Sequence, residues 1–334
     1  MAILKKLSLI IFCTLLTGCY EDFTPDIDTT PVLCINSLIT AGEPINVQVS
    51  RTWLYTDREP SVLTDATVSI YANGVLQDES YIPREGDSIK IVAHSDTYGD
   101  AEAEVTVPVA VPIGEVTYDT YLNSARIYEL PGYVAVGEVY FNLRANLMIN
   151  DPAIEENYYR FSYTSYCKLQ RHPQPDDNPN GSYASPAGFY SGDFREDAEP
   201  IFSEHIGVFE SIMGGDVYGF TFFTDRSFQG SAYPLHLYYT DCVYRVSARE
   251  ENDDLFDCGL VLTLTTVSES YYFWANYCWQ RDEGTLEDFS NLGFSDPMYG
   301  YSNVSTGAGI VAAQSHSTDT LSLKTFIEQV VNNK

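Results

Sequence analysis

One run of the chain has the spacing of a hard-cation site: Asp176-Asp177-Asn178-Pro179-Asn180-Gly181. Asp176, Asn178 and Asn180 set three oxygen side chains on alternate residues, and Gly181 permits the sharp reversal, as in the front half of a calcium loop. The twelfth position is Ala187, so a bidentate carboxylate has to come from elsewhere. A solvated Asp/Asn/Pro/Gly turn uses the same residues and stands beside the calcium reading. No other cofactor is expected. The five histidines (His94, His172, His205, His236, His316) form no pair at zinc-ligand spacing. A Gly-x-Ser-x-Gly elbow, a P-loop and a dinucleotide fingerprint are lacking from the sequence, which removes the commonest hydrolase and nucleotide readings. Acid pairs such as Glu155-Glu156 and Asp253-Asp254 are unavoidable among 47 acids, and adjacency says nothing about the carboxyl separation that glycoside hydrolysis needs. The chain is therefore expected not to be an enzyme, with a hydrolase as the residual case.

Two aromatic runs remain as candidate ligand surfaces, Tyr158–Tyr163 and Tyr271–Trp279. On a strand, alternate residues share a face, so Tyr159, Phe161 and Tyr163 stand together. Trp274 and Trp279 belong to the second run. One face of each strand has to be core, and core alone is the simpler reading; an exposed second face would be a platform for sugar rings, peptides or a partner.

The chemistry at the amino terminus is sharper. Lys5 and Lys6 precede an apolar run, Leu7–Leu16, which ends at Thr17-Gly18-Cys19. Ten apolar residues cover about half of a bilayer core, so residues 1–18 read as a secretion signal rather than a span. The ending resembles a bacterial lipobox, with Cys19 as the acylated anchor to the lipid bilayer. Residues 19–30 form an acidic tether whose Glu21, Asp22, Asp26 and Asp28 resemble the surface-export signal of Bacteroidota lipoproteins, or simply hold the body off the headgroups. The expected location is the outer membrane, lipid-anchored and facing the cell surface.

Charge supports a body held in water. The chain has 334 residues, 47 acids against 18 bases and a net charge of −29, so nucleic acid would meet a field of its own sign. Without Lys5 and Lys6 the balance is 47 against 16.

Export permits disulfides. Cys34, Cys167, Cys242, Cys258 and Cys278 remain in the mature body, and an odd number leaves at least one thiol. Cys242 with Cys258 would pin an excursion between two strands. Cys167 with Cys278 would pair if the aromatic strands before them were neighbours. Cys34 reads as a small hydrophobe.

The elements that position these residues are strands. From 31 to 112, alternating or β-branched runs recur between turn signals: Val32–Thr40, Ile45–Trp53, Ala66–Tyr71, Ser88–His94 and Ala103–Val107. Asn73-Gly74 marks a two-residue hairpin. Val107-Pro108-Val109-Ala110-Val111-Pro112 lacks ladder donors and reads as a linker. Residues 113–334 carry longer aromatic strands, the irregular loop 170–200 and one short helix within Leu321–Asn332. Gly307-Ala308-Gly309 reads as a tight turn with close sheet packing, running into a strand at Ile310–Ala313. The expected class is all-β: an immunoglobulin-like β-sandwich, then a larger antiparallel β domain with a short C-terminal helix.

Several of these segments together are similar to one family. They are Pro31–Thr40, Val49-Ser50-Arg51-Thr52, Asp65–Ile70, Glu156–Phe161 and Ser302–Ile310. The chain resembles Bacteroidota lipoproteins of domain-of-unknown-function family 4249 over about Pro31 to Ser322. The resemblance implies work beside a TonB-dependent outer-membrane transporter, as a binding or accessory subunit for a nutrient, peptide or glycan. The contrasting class is a structural or adhesive envelope lipoprotein without a small-molecule ligand.

Overall fold

A computed structural model describes residues 30–53, 63, 65–78, 80–133, 135–152, 156–168, 188–203, 219–248, 255–282 and 300–333. The signal, Cys19, the acidic tether up to Thr29 and the Asp176/Asn178/Asn180 run lie outside them.

The fold is all-β, with two short α-helices among the described residues. Strands β1 (Leu33–Thr40) and β2 (Gln48–Arg51) are followed by β3 (Thr67–Ala72), β4 (Val75–Gln77), β5 (Ser88–Ser95) and β6 (Gly99–Thr106). The last four form one sheet in the order β4-β3-β5-β6. Its first hairpin turns at Asn73 (φ 52°) and Gly74 (φ 79°), the positive pair that a type I′ turn requires. Then come β7 (Ile113–Tyr128), β8 (Ala135–Asn150), β9 (Tyr158–Cys167), β10 (Gly188–Tyr190), β11 (Asp193–Phe194), β12 (Phe222–Thr224) and β13 (Ala232–Ala248). After β14 (Cys258–Val267) follow helix α1 (Glu269–Asp282), β15 (Ala308–Ser322) and helix α2 (Lys324–Asn332). A second sheet runs β10-β13-β8-β7 with β11 also on β13, and a third runs β12-β9-β14-β15-β1-β2.

The third sheet joins the two halves of the chain. The first half of β15 pairs in parallel with β1, from Cys34 opposite Ala308 to Thr40 opposite Gln314. The second half pairs antiparallel with β14, up to Gly259 opposite Ser322. Residues 31–112 thus supply most of one core, which Val304, Val311 and Ala313 complete, and their opening strand is hydrogen-bonded to β15. Alternation on β15 then serves three cores. In the first core, Val311 and Ala313 face Leu33, Ile35, Ile89 and Ile91. In the second and largest core, between the second and third sheets, Leu321 joins Phe141, Leu147, Phe161, Leu237 and Leu262. In the third core, Ile310 and Ala312 face Tyr158, Val267 and α1.

The glycine turn behaves as the sequence predicts. Gly309 has φ +105°, and a side chain there would run into the Ile35 carbonyl; one on Gly307 would meet the Leu33 carbonyl at 2.6 Å. Close approach of β15 to β1 is what these glycines permit.

Two expectations are corrected. Tyr271–Trp279 is not a strand: it lies within α1, which Ser268 opens by accepting the Tyr271 N–H on its Oγ at 3.3 Å. Aromatic residues favour strands only weakly, and here an aromatic helix covers an apolar sheet face. There is also no excursion beginning at Cys242. Strand β13 continues through it to Ala248, past a bulge between Tyr239 and Cys242 where Asp241 takes φ 58°.

All five cysteines of the body are thiols. Cys242 lies in the second sheet and donates to the Ser191 carbonyl at 3.0 Å, whereas Cys258 begins β14 in the third. Cys278 is on a helix, so the neighbouring-strand condition for pairing with Cys167 is not met.

Candidate functional site

The segment Val107–Pro112 crosses from the first core to the second outside any strand, and side-chain hydroxyls hold it. Val111 N–H donates to Thr266 Oγ1 at 3.1 Å. Ser315 Oγ donates to the Pro108 carbonyl at 2.7 Å and Ser317 Oγ to the Val111 carbonyl at 2.8 Å. Prolines at both ends remove two donors that no ladder could satisfy here, so three hydroxyls suffice to seat the rest.

Beside this segment lies a cleft of about 1080 Å³. The linker is one wall. Tyr158 at the start of β9, Ser268–Ser270 at the start of α1, and Tyr301 with Asn303 also line the cleft, as do Glu104 and Glu156. Burial pushes the Tyr158 hydroxyl up to about 12, and the charges of Glu156 and Glu269 add to the shift. Tyr301 is raised by burial first and by Glu269 second. Both phenols thus stay protonated at neutral pH and serve as donors. Glu156 is paired with Arg226. The cleft offers phenols, amides and carboxylates around an apolar wall, a set that suits hydroxyl- and amine-bearing ligands.

Behind the Asn157 side of the cleft sits a buried acidic pair. Asp151 accepts from Tyr159 Oη, from Asn157 Nδ2 at 3.3 Å and from the Gly230 N–H at 2.8 Å. Asp225 accepts from the Asn157 N–H at 2.9 Å and Nδ2 at 3.2 Å, while its Oδ1 is buried without a donor. Burial raises the Asp225 carboxyl above its ordinary value, and the neighbouring charge of Asp151 raises it further. Stability from the protonated form is complete below the ordinary value of 3.8 and lost as pH rises through the raised one. Asp225→Asn supplies a permanent donor. The expected result is a variant whose stability relative to the parent grows as pH rises from 4 to 7, measured by urea unfolding at both values. A difference that shrinks with pH contradicts the pairing.

The residues singled out from sequence lie elsewhere. Tyr159 and Phe161 are fully buried in the largest core and Tyr163 packs on it, with Tyr163 meeting Tyr239 edge-on at 4.9 Å. Their shared face is the core face. Trp274 packs partly buried against the third core, 6.2 Å from Tyr271, and Trp279 lies 5.6 Å from Phe220. Sequence reading did not single out Asp151, Asp225 or Tyr301. Asp151 had a usable signal, since an acid after a strand and before a proline has free backbone donors within reach.

The family model of the domain of unknown function DUF4249 matches residues 20–320. The chain belongs to the DUF4249 family. The match takes in every residue of the cleft, so the site lies within what defines the family rather than in an appendage. No curated protein and no solved structure matches the chain. In this DUF4249 chain no helix among the described residues is long and apolar enough to cross a membrane, and no cluster of three or more acidic, His or Cys side chains among them could hold a metal ion.

Proposed function

We propose that the chain is an outer-membrane lipoprotein of Bacteroidota, anchored at the cell surface through acylated Cys19, that acts as a binding or accessory subunit of a TonB-dependent transporter for a nutrient, peptide or glycan. The observation that carries the reading is the cleft beside Val107–Pro112. Its protonated tyrosines, its amides and its carboxylates Glu104 and Glu269 suit sugar hydroxyls or the amines of a peptide. Phosphorylated and other anionic ligands are disfavoured by the same acids and by a net charge of −29.

An exposed strand supports the reading as well. Strand β7 is an outer strand of its sheet, 16 residues long, and exposes Tyr118, Tyr121, Leu122 and Tyr128. Long apolar edges of this sort serve as docking surfaces for other proteins.

Extraction of the tagged full chain in mild detergent tests the reading. Co-elution of a β-barrel transporter is the expected result, and Tyr121→Ser with Leu122→Ser is expected to reduce it about tenfold, the weight of one or two lost interface anchors. The thermal midpoint should stay within about 3 °C of the parent, because both side chains are exposed. A chain that elutes alone from cells grown on varied nutrients overturns the subunit reading in favour of a structural or adhesive envelope protein.

A further inference from the structure

Strands β9 and β14 are antiparallel neighbours, and their register sets Cys167 directly opposite Cys258. The type of position follows from the hydrogen bonds on either side. Lys168 N–H donates to the Asp257 carbonyl at 2.9 Å, making the next pair along the ladder, Lys168 with Asp257, a hydrogen-bonded one. The Cys258 carbonyl accepts the Leu323 N–H from the other flank, also at 2.9 Å. Since bonded and non-bonded pairs alternate along an antiparallel ladder, Cys167 and Cys258 occupy a non-hydrogen-bonded position, where Cα atoms stand about 4.5 Å apart and side chains are closest. That separation lies within the span of about 4.4–6.8 Å that a disulfide bridges. Both side chains also turn to the same side. Cys258 is a buried member of the largest core and Cys167 packs, half-buried, against that core. The other body thiols are placed differently: Cys242 is engaged with Ser191 in the opposite sheet, Cys278 is on α1, and Cys34 accepts from Asn36 at 3.6 Å on β1.

We propose that Cys167 and Cys258 form a cross-strand disulfide that ties β9 to β14. The oxidant is another disulfide, either a small-molecule one or that of a thiol oxidoreductase. The Cys167 thiolate attacks one sulfur of the donor, expelling its first thiolate. Cys258 then loses its proton and attacks Cys167 Sγ, expelling the second. Two protein thiols give up two electrons and two protons, and the donor leaves as two thiols. The order follows from access, since Cys167 is half-buried while Cys258 is fully buried. Burial also raises the Cys258 thiol well above its ordinary range, which makes it the poorer first attacker. The bridge closes a loop of about 90 residues that contains β10 to β13, so the second sheet's central strand is tethered through it.

The test uses the full chain, incubated with oxidised glutathione at pH 8, alkylated and mapped by peptide mass. The expected result is one linked pair of peptides bearing Cys167 and Cys258, about 2 Da lighter than the two thiol peptides together. Oxidation should raise the thermal midpoint by about 5–10 °C, reversed by a phosphine reductant. Cys167→Ser changes a half-buried side chain and keeps the core sulfur, so it should fold, form no link and show no oxidant-dependent shift. A link through Cys242, Cys278 or Cys34, or free alkylation of both Cys167 and Cys258 after oxidation, overturns the proposal. These outcomes are read on purified chain and do not depend on any transporter.

Discussion

Gly309→Val is expected to destabilise the chain by about 4 kcal/mol, a large share of the roughly 5–15 kcal/mol that holds a typical domain together. Two costs add at this position. A β-branched residue is forced to φ +105°, a conformation that costs on the order of 1–3 kcal/mol for a side chain. Its Cβ also meets the Ile35 carbonyl of β1, the residue opposite it in the register, so the parallel ladder has to open there. The ladder cannot yield locally, because the next residues of β15 carry Val311 and Ala313 into the first core and Ile310 and Ala312 into the third. Urea unfolding of the variant should show a lower midpoint for the whole chain. A midpoint within about 0.3 M of the parent would mean that β1 and β15 are not held as close as their register requires. Gly309→Ala keeps both costs, the conformational penalty and the Cβ contact, so it should carry most of the loss, and the difference between the two variants measures the branched bulk alone.

The same seam shows what the sequence could and could not convey. Strand positions were legible because period two is a local signal: Leu33 and Ile35 alternate with half-buried Cys34 and Asn36, and Asn73-Gly74 announces its own turn. Even the glycines before Ile310 announced close packing. The partner of that packing was not legible. Nothing within Val32–Thr40 states that its parallel neighbour lies some 270 residues later, because pairing across such a distance is decided by which apolar faces remain to be covered. Helix α1 was missed for a related reason. Tyr271 to Trp279 is apolar or aromatic at nearly every position, so strand and helix periods fit it equally well. The Ser268 cap that decides the matter is a single residue. The cleft was the least legible part, since its walls come from the linker, β9, α1 and the segment before β15, and no motif spans them.

Glu199→Ala is expected to cost about 3 kcal/mol, although the residue belongs to no motif and is remote from the linker. Its carboxylate is fully buried and is the acceptor for Tyr233 Oη at 2.6 Å, the His236 N–H at 2.7 Å and the Ile201 N–H at 3.4 Å; His236 Nδ1 stands 3.2 Å away. These contacts staple the turn Glu196–Ser203 to β13, and that turn carries Ile201 and Phe202 into the largest core. Alanine removes the acceptor but leaves the buried donors, and each unpaired donor costs about 1–3 kcal/mol unless water reaches it. The loss therefore exceeds that of any one hydrogen bond. Glutamine preserves the shape and one acceptor oxygen, so Glu199→Gln should cost about 1 kcal/mol, with the smaller penalty falling on the donor that then faces the amide. Urea unfolding of the three proteins at pH 7 distinguishes this from simple packing. If glutamine is as stable as the parent while alanine is destabilising, side-chain volume rather than the carboxylate's acceptors holds the turn.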